Sequence, residues 1–499
     1  MKILYYNWVD YLDDENRGGG VSIYQRNLLR ALDAQDGMEA VFLSAGISYD
    51  LAGRRPRWAP VRHGPAQDRG RRYEIVNSGT LSPAHHSFGS PAQVEHPATE
   101  AAFYDFIDAT GPYDVVHFNN LEGLPARVLE LKRRWPQTRV ILSLHNYYPF
   151  CPQVNLWHRE REACRDFEAG RKCADCLLHK PDERLIRLAN GLAFRLKRAG
   201  IRPGTRAFDA LFRPTLRVGG RLARLPGKLR RLLRPAPAGP AAPAPGAARA
   251  RAEAFAARRA EMVRLINAHC DRVLCVSDRV GEIARHYGIA PDLVQTSYIG
   301  TEEARKFAET APRPALLGAD GTLSLGYLGY MRRDKGFFFL LDALEALPDE
   351  IAGRLRLVAA ARRGDAATMA RLERLRPRLA GLTHVDGYSH DDLDQLLARV
   401  DVGLVPVLWE DNLPQVAIEM HARHIPLLTS DMGGAQELGH CPGMVFQAGS
   451  TASFRDRVAA ILEGRVTVQD YWENAVAPVE MPGHLQELRA VYGAPPSAG

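Results

Sequence analysis

The chain has 499 residues, 46% hydrophobic and 25% charged, which excludes a disordered or fibrous protein and allows two or three globular domains. No run approaches the roughly 18 apolar residues of a membrane-spanning helix, and the opening MKILYYNWVDYLDDENRGGG has no signal-peptide pattern. Seven cysteines are too few for a disulfide scaffold, which predicts a reduced, cytoplasmic chain. Charge is concentrated: residues 181–260 carry 19 lysines and arginines against four acids, a net of +15 in a chain of +7, so the other 419 residues sum to −8. The basic character belongs to one segment.

In chain order, the apolar run at 3–6 predicts a strand, and the loop after it ends in Arg17-Gly18-Gly19-Gly20. Residues 21–32 then repeat apolar side chains at helical spacing (Ile23, Leu28, Leu29, Leu32). Runs at 41–43, 115–118 and 140–142 predict further buried strands, with helical patterns between them. Residues 147–180 are irregular and bear cysteines, 183–234 read as basic helix, and 235–248 (PAPAGPAAPAPGAA) as an extended linker. A helix over 249–269 leads into a strand at 273–277. A second unit at about 323–465 has strands at 323–328, 355–359, 402–405 and 426–428, with helices over 335–347, 366–379, 390–399 and 414–423. Alternating strands and helices imply parallel, doubly wound sheets, here two such domains facing across a cleft. These sheets bind ligands beyond the carboxyl ends of their strands, where Gly18 to Gly20, Asn119-Asn120 and His145-Asn146 fall.

Three segments carry a resemblance: YLGYMRRDKGFFFLLDAL (327–344), VDGYSHDDLDQLLARVDVGLVPVLWEDNLPQVAIEM (385–420) and HIPLLTSDMGGAQEL (424–438). In order and spacing they resemble the donor-binding half of family 4 of the glycosyltransferases, retaining nucleotide-sugar enzymes with the two-Rossmann-domain GT-B fold. The Gly-rich loop, DVVHFNN (114–120), the strand ending in His145 and VLCVSDRV (273–280) resemble its other half more loosely. The resemblance implies an N-terminal acceptor-side domain over 1–300, with a basic helical insertion at 183–269, and a nucleotide-sugar domain over 301–480. It also implies a helix near 483–492 crossing back to the first domain within 481–499.

Sugar transfer from a nucleotide needs cations and helix-terminal N–H groups where the diphosphate leaving group gains charge. Asp334 is expected to cap the helix starting near Lys335, aiming that lysine at phosphate, with Arg332 and Arg333 as further donors. The family usually has an arginine right after the strand glycine; here that residue is Tyr330, so Arg332 or Arg333 must reach across or the phosphate site is weakened. Asp411-x7-Glu419 matches a pair of glutamates in the family, with Asp411 the shortened member and Glu410 an alternative sugar contact. The resemblance implies that the first acid meets sugar hydroxyls and that Glu419 accepts from the ribose. Backbone N–H groups of 412–415, including Asn412 and Leu413, are expected near the sugar and phosphates, base contacts around 386–388, and Thr301-Glu302 at an interdomain turn. His145 matches the family's active-site histidine, though a lone histidine is also an ordinary structural residue; the position after it, often Asp, is Asn146. Gly19 and Gly20 permit close backbone approach to the donor.

Cys151, Cys164, Cys173 and Cys176 fall in the pattern C-x12-C-x8-C-x2-C. The spacing suits structural Zn²⁺, which would fold a segment read as poor in apolar residues; redox or disulfide pairing and unlinked thiols are the alternatives, and His158 and His179 are reserve ligands. No catalytic metal is expected. The basic stretch 183–234 suits either an anionic membrane surface or a solvated insertion. Nucleic acid is not expected as a partner, because aromatic stacking groups there are few. The resulting expectation is a hexosyltransferase, cytoplasmic or peripheral on the inner face of the plasma membrane. It would move sugar from UDP or GDP to a glycan or lipid-linked acceptor in cell-surface polysaccharide synthesis. The rivals are a nucleotide-sugar epimerase of the same fold and an inactive homologue that binds glycan.

Overall fold

The computed structural model describes residues 1–15, 17–35, 37–177, 182–217 and 246–493. In chain order the first domain contributes β1 (Lys2–Tyr6), β2 (Glu39–Ser48), β3 (Arg57–Pro60), β4 (Arg72–Val76), β5 (Val115–Phe118), β6 (Arg139–Leu144), a short hairpin of β7 (Trp157–His158) and β8 (Glu162–Ala163), then β9 (Arg272–Cys275) and β10 (Val294–Thr296). Its sheet runs β10-β9-β6-β5-β1-β2-β4-β3, parallel except where β3 meets β4. The second domain contributes β11 (Leu323–Gly329), β12 (Leu355–Ala361), β13 (Gly381–Val385), β14 (Val402–Val405), β15 (Leu427–Ser430) and β16 (Val445–Phe446). These form an all-parallel sheet ordered β13-β12-β11-β14-β15-β16. Every residue of β6 and the first six of β11 are buried, as expected of parallel strands covered by helices on both faces.

Chain order reverses at β1, between β2 and β5, and again at β11, between β12 and β14. Such switch points open crevices at the carboxyl ends, and both open onto the same cavity. Besides the β7-β8 hairpin, five strands of the two large sheets escape an apolar-run reading: β3, β4, β10, β13 and β16. They lie at or next to the sheet margins, and the first four carry residues such as Arg57, Arg72, Glu74, Gln295 and His384.

Helix Met481–Gly493 leaves the second domain and packs on helix Gly19–Asp33 of the first. Tyr492 Oη lies 2.6 Å from His117 Nδ1 and 3.1 Å from Tyr5 Oη, and His117 Nε2 meets Ser143 Oγ at 2.7 Å. On the same helix His484 Nε2 bonds Tyr24 Oη at 2.8 Å. Burial pushes the His117 imidazole down to about 3 and that of His484 to about 4, so the network is neutral at pH 7. It satisfies buried polar groups without burying charge.

The segment after His145 corrects the expectation of low apolar content. Tyr147, Tyr148, Phe150, Leu156 and Trp157 are buried. Helix Ala247–His269 supplies two buried arginines: Arg258 donates to Tyr148 O at 2.9 Å, and Arg259 donates to Phe150 O at 2.7 Å. Their guanidinium groups lie 4.7 Å from the Tyr148 ring centroid and 3.4 Å from that of Phe167. In the basic stretch, helix Glu183–Arg198 covers the first domain. Phe194 packs with Ala59 and Val76, Arg187 donates to Ser78 O and Gly79 O, and Lys197 pairs with Glu15 at 2.8 Å. Helical structure continues over 206–217; 218–234 and nearly all of the 235–248 linker lie outside the described residues. Among the described residues no helix is long and apolar enough to cross a membrane.

Candidate active site

The facing strand ends enclose a cavity of about 730 Å³, inside the roughly 300–1,000 Å³ range of small-molecule sites. Gly19, Gly20, Tyr24 and His145 line it from the first domain; Lys335, Tyr388, His390, Asp411, Asn412, Leu413 and Glu419 line it from the second. Residues 18–20 open helix Gly19–Asp33, which has no side-chain cap and no acid in its first turn, so its first N–H groups are without intrahelical partners. Gln415 Nε2 donates to Gly20 O at 3.0 Å and links the two walls.

Lys335 sits in the loop after β11. Gly336 has φ +73°, and a Cβ there would lie 1.7 Å from Pro406 O, so glycine is what lets this loop dock against the end of β14. Lys335 Nζ bonds Asp411 Oδ2 at 2.6 Å and lies 5.2 Å from the Trp409 ring centroid. The expected role of Asp334 is corrected: the following helix, Phe337–Glu345, is capped by Gly336 without a side-chain bond. Asp334 instead receives both arms of Arg332, at 3.0 and 2.8 Å. Two residues apart in a tight loop, this pair closes on itself. Arg332 and Arg333 are exposed and neither lines the cavity, whereas Tyr330 (59% exposed) and Arg362 do.

Helix Gln415–His421 carries Glu419, which is 5% exposed. Its Oε1 lies 3.2 Å from His390 Nε2, and its Oε2 has no hydrogen-bond partner. A buried carboxylate oxygen without a donor fits a ligand hydroxyl. Glu410 is not part of the lining, correcting its place as an alternative sugar contact: both its oxygens are engaged by Arg279, at 2.6 and 3.1 Å, and one also accepts from Gly433 N at 3.1 Å. Consecutive side chains in this loop point to opposite sides, and Asp411 has the cavity side.

His145 Nε2 lies 3.1 Å from Asn119 Oδ1, and its ring packs 5.1 Å from that of Tyr24. Burial, then the neighbouring His484, pushes its imidazole down to about 3, so it is neutral at pH 7, with Nε2–H donating to the amide oxygen. Asn146 Nδ2 donates to Glu122 Oε1 at 2.7 Å, and burial raises that glutamate to about 7. An aspartate at 146 would set a second acid against it, which accounts for the amide. Tyr24, Arg362, His390 and Trp409 also line the cavity and were not among the expected site residues: Tyr24, His390 and Trp409 lie in segments the sequence did mark, but which side chains face the cavity does not follow from the pattern.

Cys151, Cys164, Cys173 and Cys176 line one small cleft with His158. Burial pushes the Cys164 thiol up to about 11 and those of Cys173 and Cys176 to about 12, keeping them protonated as placed. Among the described residues no three His, Cys, Asp or Glu side chains stand close enough to hold a metal ion. The four thiols share this one cleft. His158 is turned toward Glu162 and Asp175, and His179 lies outside the described residues.

Residues 322–464 match the family model for Glycosyl transferases group 1. Over the whole chain the fold is similar to Anabaena HepE in complex with UDP (12% identity, 98% of this chain and 99% of that one, TM-score 0.53). It is similar also to the same protein in complex with UDP-glucose (12%, 98% and 99%, 0.50). A third likeness is to sucrose-phosphate synthase from Thermosynechococcus elongatus (16%, 99% and 98%, 0.52). None of the curated proteins compared by sequence matches the chain. The fold is GT-B, two Rossmann-like domains, and its residues 322–464 match the group 1 glycosyl transferase model.

Two measurements follow. Glu419 raises the His390 pKa above its usual 6.5, so their ion pair stabilises the fold fully below pH 6.5 and loses that contribution as pH rises through the folded value. His390→Gln should therefore melt below wild type at pH 6, by no more than about 1 kcal/mol for a half-exposed pair, and converge with it by pH 9; a gap independent of pH contradicts the pairing. Metal analysis of purified protein tests the zinc expectation. One equivalent of zinc, lost in Cys173→Ser/Cys176→Ser, supports it, and metal-free wild type ends it.

Proposed function

We propose that this protein is a glycosyltransferase that moves a hexose-type sugar from UDP or GDP to a glycan or lipid-linked acceptor in cell-surface polysaccharide synthesis. We assign it to family 4, with retention of anomeric configuration. The observation that carries the reading is the convergence of Lys335, Asp411 and Glu419 on one cavity, with His145 on the opposite wall. The complexes of HepE with UDP and UDP-glucose support UDP as the nucleotide.

In this reading the unpartnered Glu419 oxygen accepts from a ribose hydroxyl. The diphosphate lies between the Gly19–Asp33 helix N-terminus and Lys335. The resting Lys335–Asp411 bond is exchanged when the donor enters: phosphate oxygens take the ammonium, and sugar hydroxyls take the carboxylate. Both charges stay paired, and the cation stands where negative charge grows as the glycosidic bond breaks. Neutral His145, its one N–H held by Asn119, is left with Nδ1 to accept from a sugar hydroxyl and does not repel a developing positive centre at the reacting carbon. The Gln415–Gly20 bond across the cleft keeps the walls together around the donor and limits water access.

A thermal-shift panel tests the reading, since a ligand preferring the folded state raises the melting temperature by mass action. UDP or GDP at about 100 times its Kd should stabilise by about 2.7 kcal/mol, and Glu419→Ala should abolish most of that shift. Lys335→Ala should lower the transfer rate about 100-fold. Equal nucleotide shifts in wild type and Glu419→Ala would overturn the assignment.

A further inference from the structure

Beside the sugar-binding acid lies an ion pair that joins the two domains. Arg279 stands in the first turn of helix Asp278–His286, which belongs to the first domain. It donates through Nη2 and Nε to the two oxygens of Glu410 in the second domain, at 2.6 and 3.1 Å. The Glu410 side chain is only 7% exposed, and this forked, charge-assisted geometry is the strongest an arginine offers. The loop that carries Glu410 is held on every side. Gly433 N donates to Glu410, and Gly434 N donates to Asp411 O at 3.0 Å. From the first domain, Ser277 Oγ donates to Asn412 O at 2.7 Å, while Asn412 Nδ2 reaches Leu144 O, the residue before His145, at 3.4 Å. A Cβ on Gly433 would lie 2.0 Å from Asp411 O, so the loop rests directly on the glycine pair.

The geometry points to Arg279 as a positioning residue: by holding Glu410 from the opposite domain, it sets the direction in which Asp411 enters the cavity. The inference rests on the proposed transferase reading and deepens it. Asp411 is then correctly aimed only while the domains are docked, so the first domain acts on the donor sugar through Asp411 as well as through its own cavity wall. The nucleotide is held separately, by Glu419 on a helix outside Arg279's hydrogen bonds, which go to Glu410, Glu282 and Glu437. Loss of Arg279 should accordingly impair sugar transfer more than nucleotide binding.

The test measures UDP and GDP affinity by calorimetry, and nucleotide release from UDP-glucose and GDP-mannose in water, for wild type, Arg279→Ala and Arg279→Lys. Expected are a kcat at least tenfold lower in Arg279→Ala, nucleotide Kd within about threefold of wild type, and an intermediate rate in Arg279→Lys, which keeps the charge but not the fork. Adding Glu410→Gln to Arg279→Ala should cost little more, because the two act as one unit. If Arg279→Ala melts below the assay temperature, Arg279→Lys carries the comparison. Wild-type kcat in Arg279→Lys and in any folded Arg279→Ala, or a parallel fall of rate and affinity, overturns the positioning role alone. A wild-type protein that binds neither nucleotide and cleaves neither sugar overturns the transferase reading and this inference with it.

Discussion

A lysine and an aspartate from separate loops of the second domain meet at 2.6 Å inside the cleft, and much of the architecture can be read as the means of keeping them there. Lys335 is placed by Gly336, the residue without a Cβ that allows the β11 loop to lie on Pro406. Asp411 is placed by a loop clamped between Gly433-Gly434 and the first domain. Neither group could sit partly desolvated by itself at low cost. Paired, they are ready to be parted by a ligand that brings one anionic and one hydroxyl-bearing partner, which is the chemistry of a sugar diphosphate.

The same logic of pairing governs the surroundings. The cavity's histidines are tuned apart: His145 is neutral because it is buried and near His484, whereas His390 is pulled toward protonation by Glu419. The C-terminal helix contributes to this tuning from a distance in sequence. It returns to the first domain and sets His484 against Tyr24, whose ring lies against His145. Helix, tyrosine and histidine form one packed column behind the first-domain wall of the cavity.

The doubly wound pattern was legible because central parallel strands are apolar on both faces: runs at 115–118 and 402–405 coincide with β5 and β14. Marginal strands such as β4, with Arg72 and Glu74, were not, since their charges are satisfied by neighbours that a linear reading does not show. At the site, the family resemblance of segments 327–344 and 385–420 implied Lys335, Asp411 and Glu419, but side-chain direction did not follow from the sequence. Arg332 and Asp334 close on one another, and Glu410 turns toward Arg279, 131 positions earlier in the chain. His390 and Arg362 became visible only when loops from different strands were brought to one rim.

The most direct measurement is a crystal structure with UDP or GDP bound. The account predicts that Lys335 Nζ leaves Asp411 for a phosphate oxygen of the diphosphate, while a ribose hydroxyl fills the empty Glu419 oxygen. A diphosphate bound elsewhere, with the Lys335–Asp411 contact still closed, would contradict it.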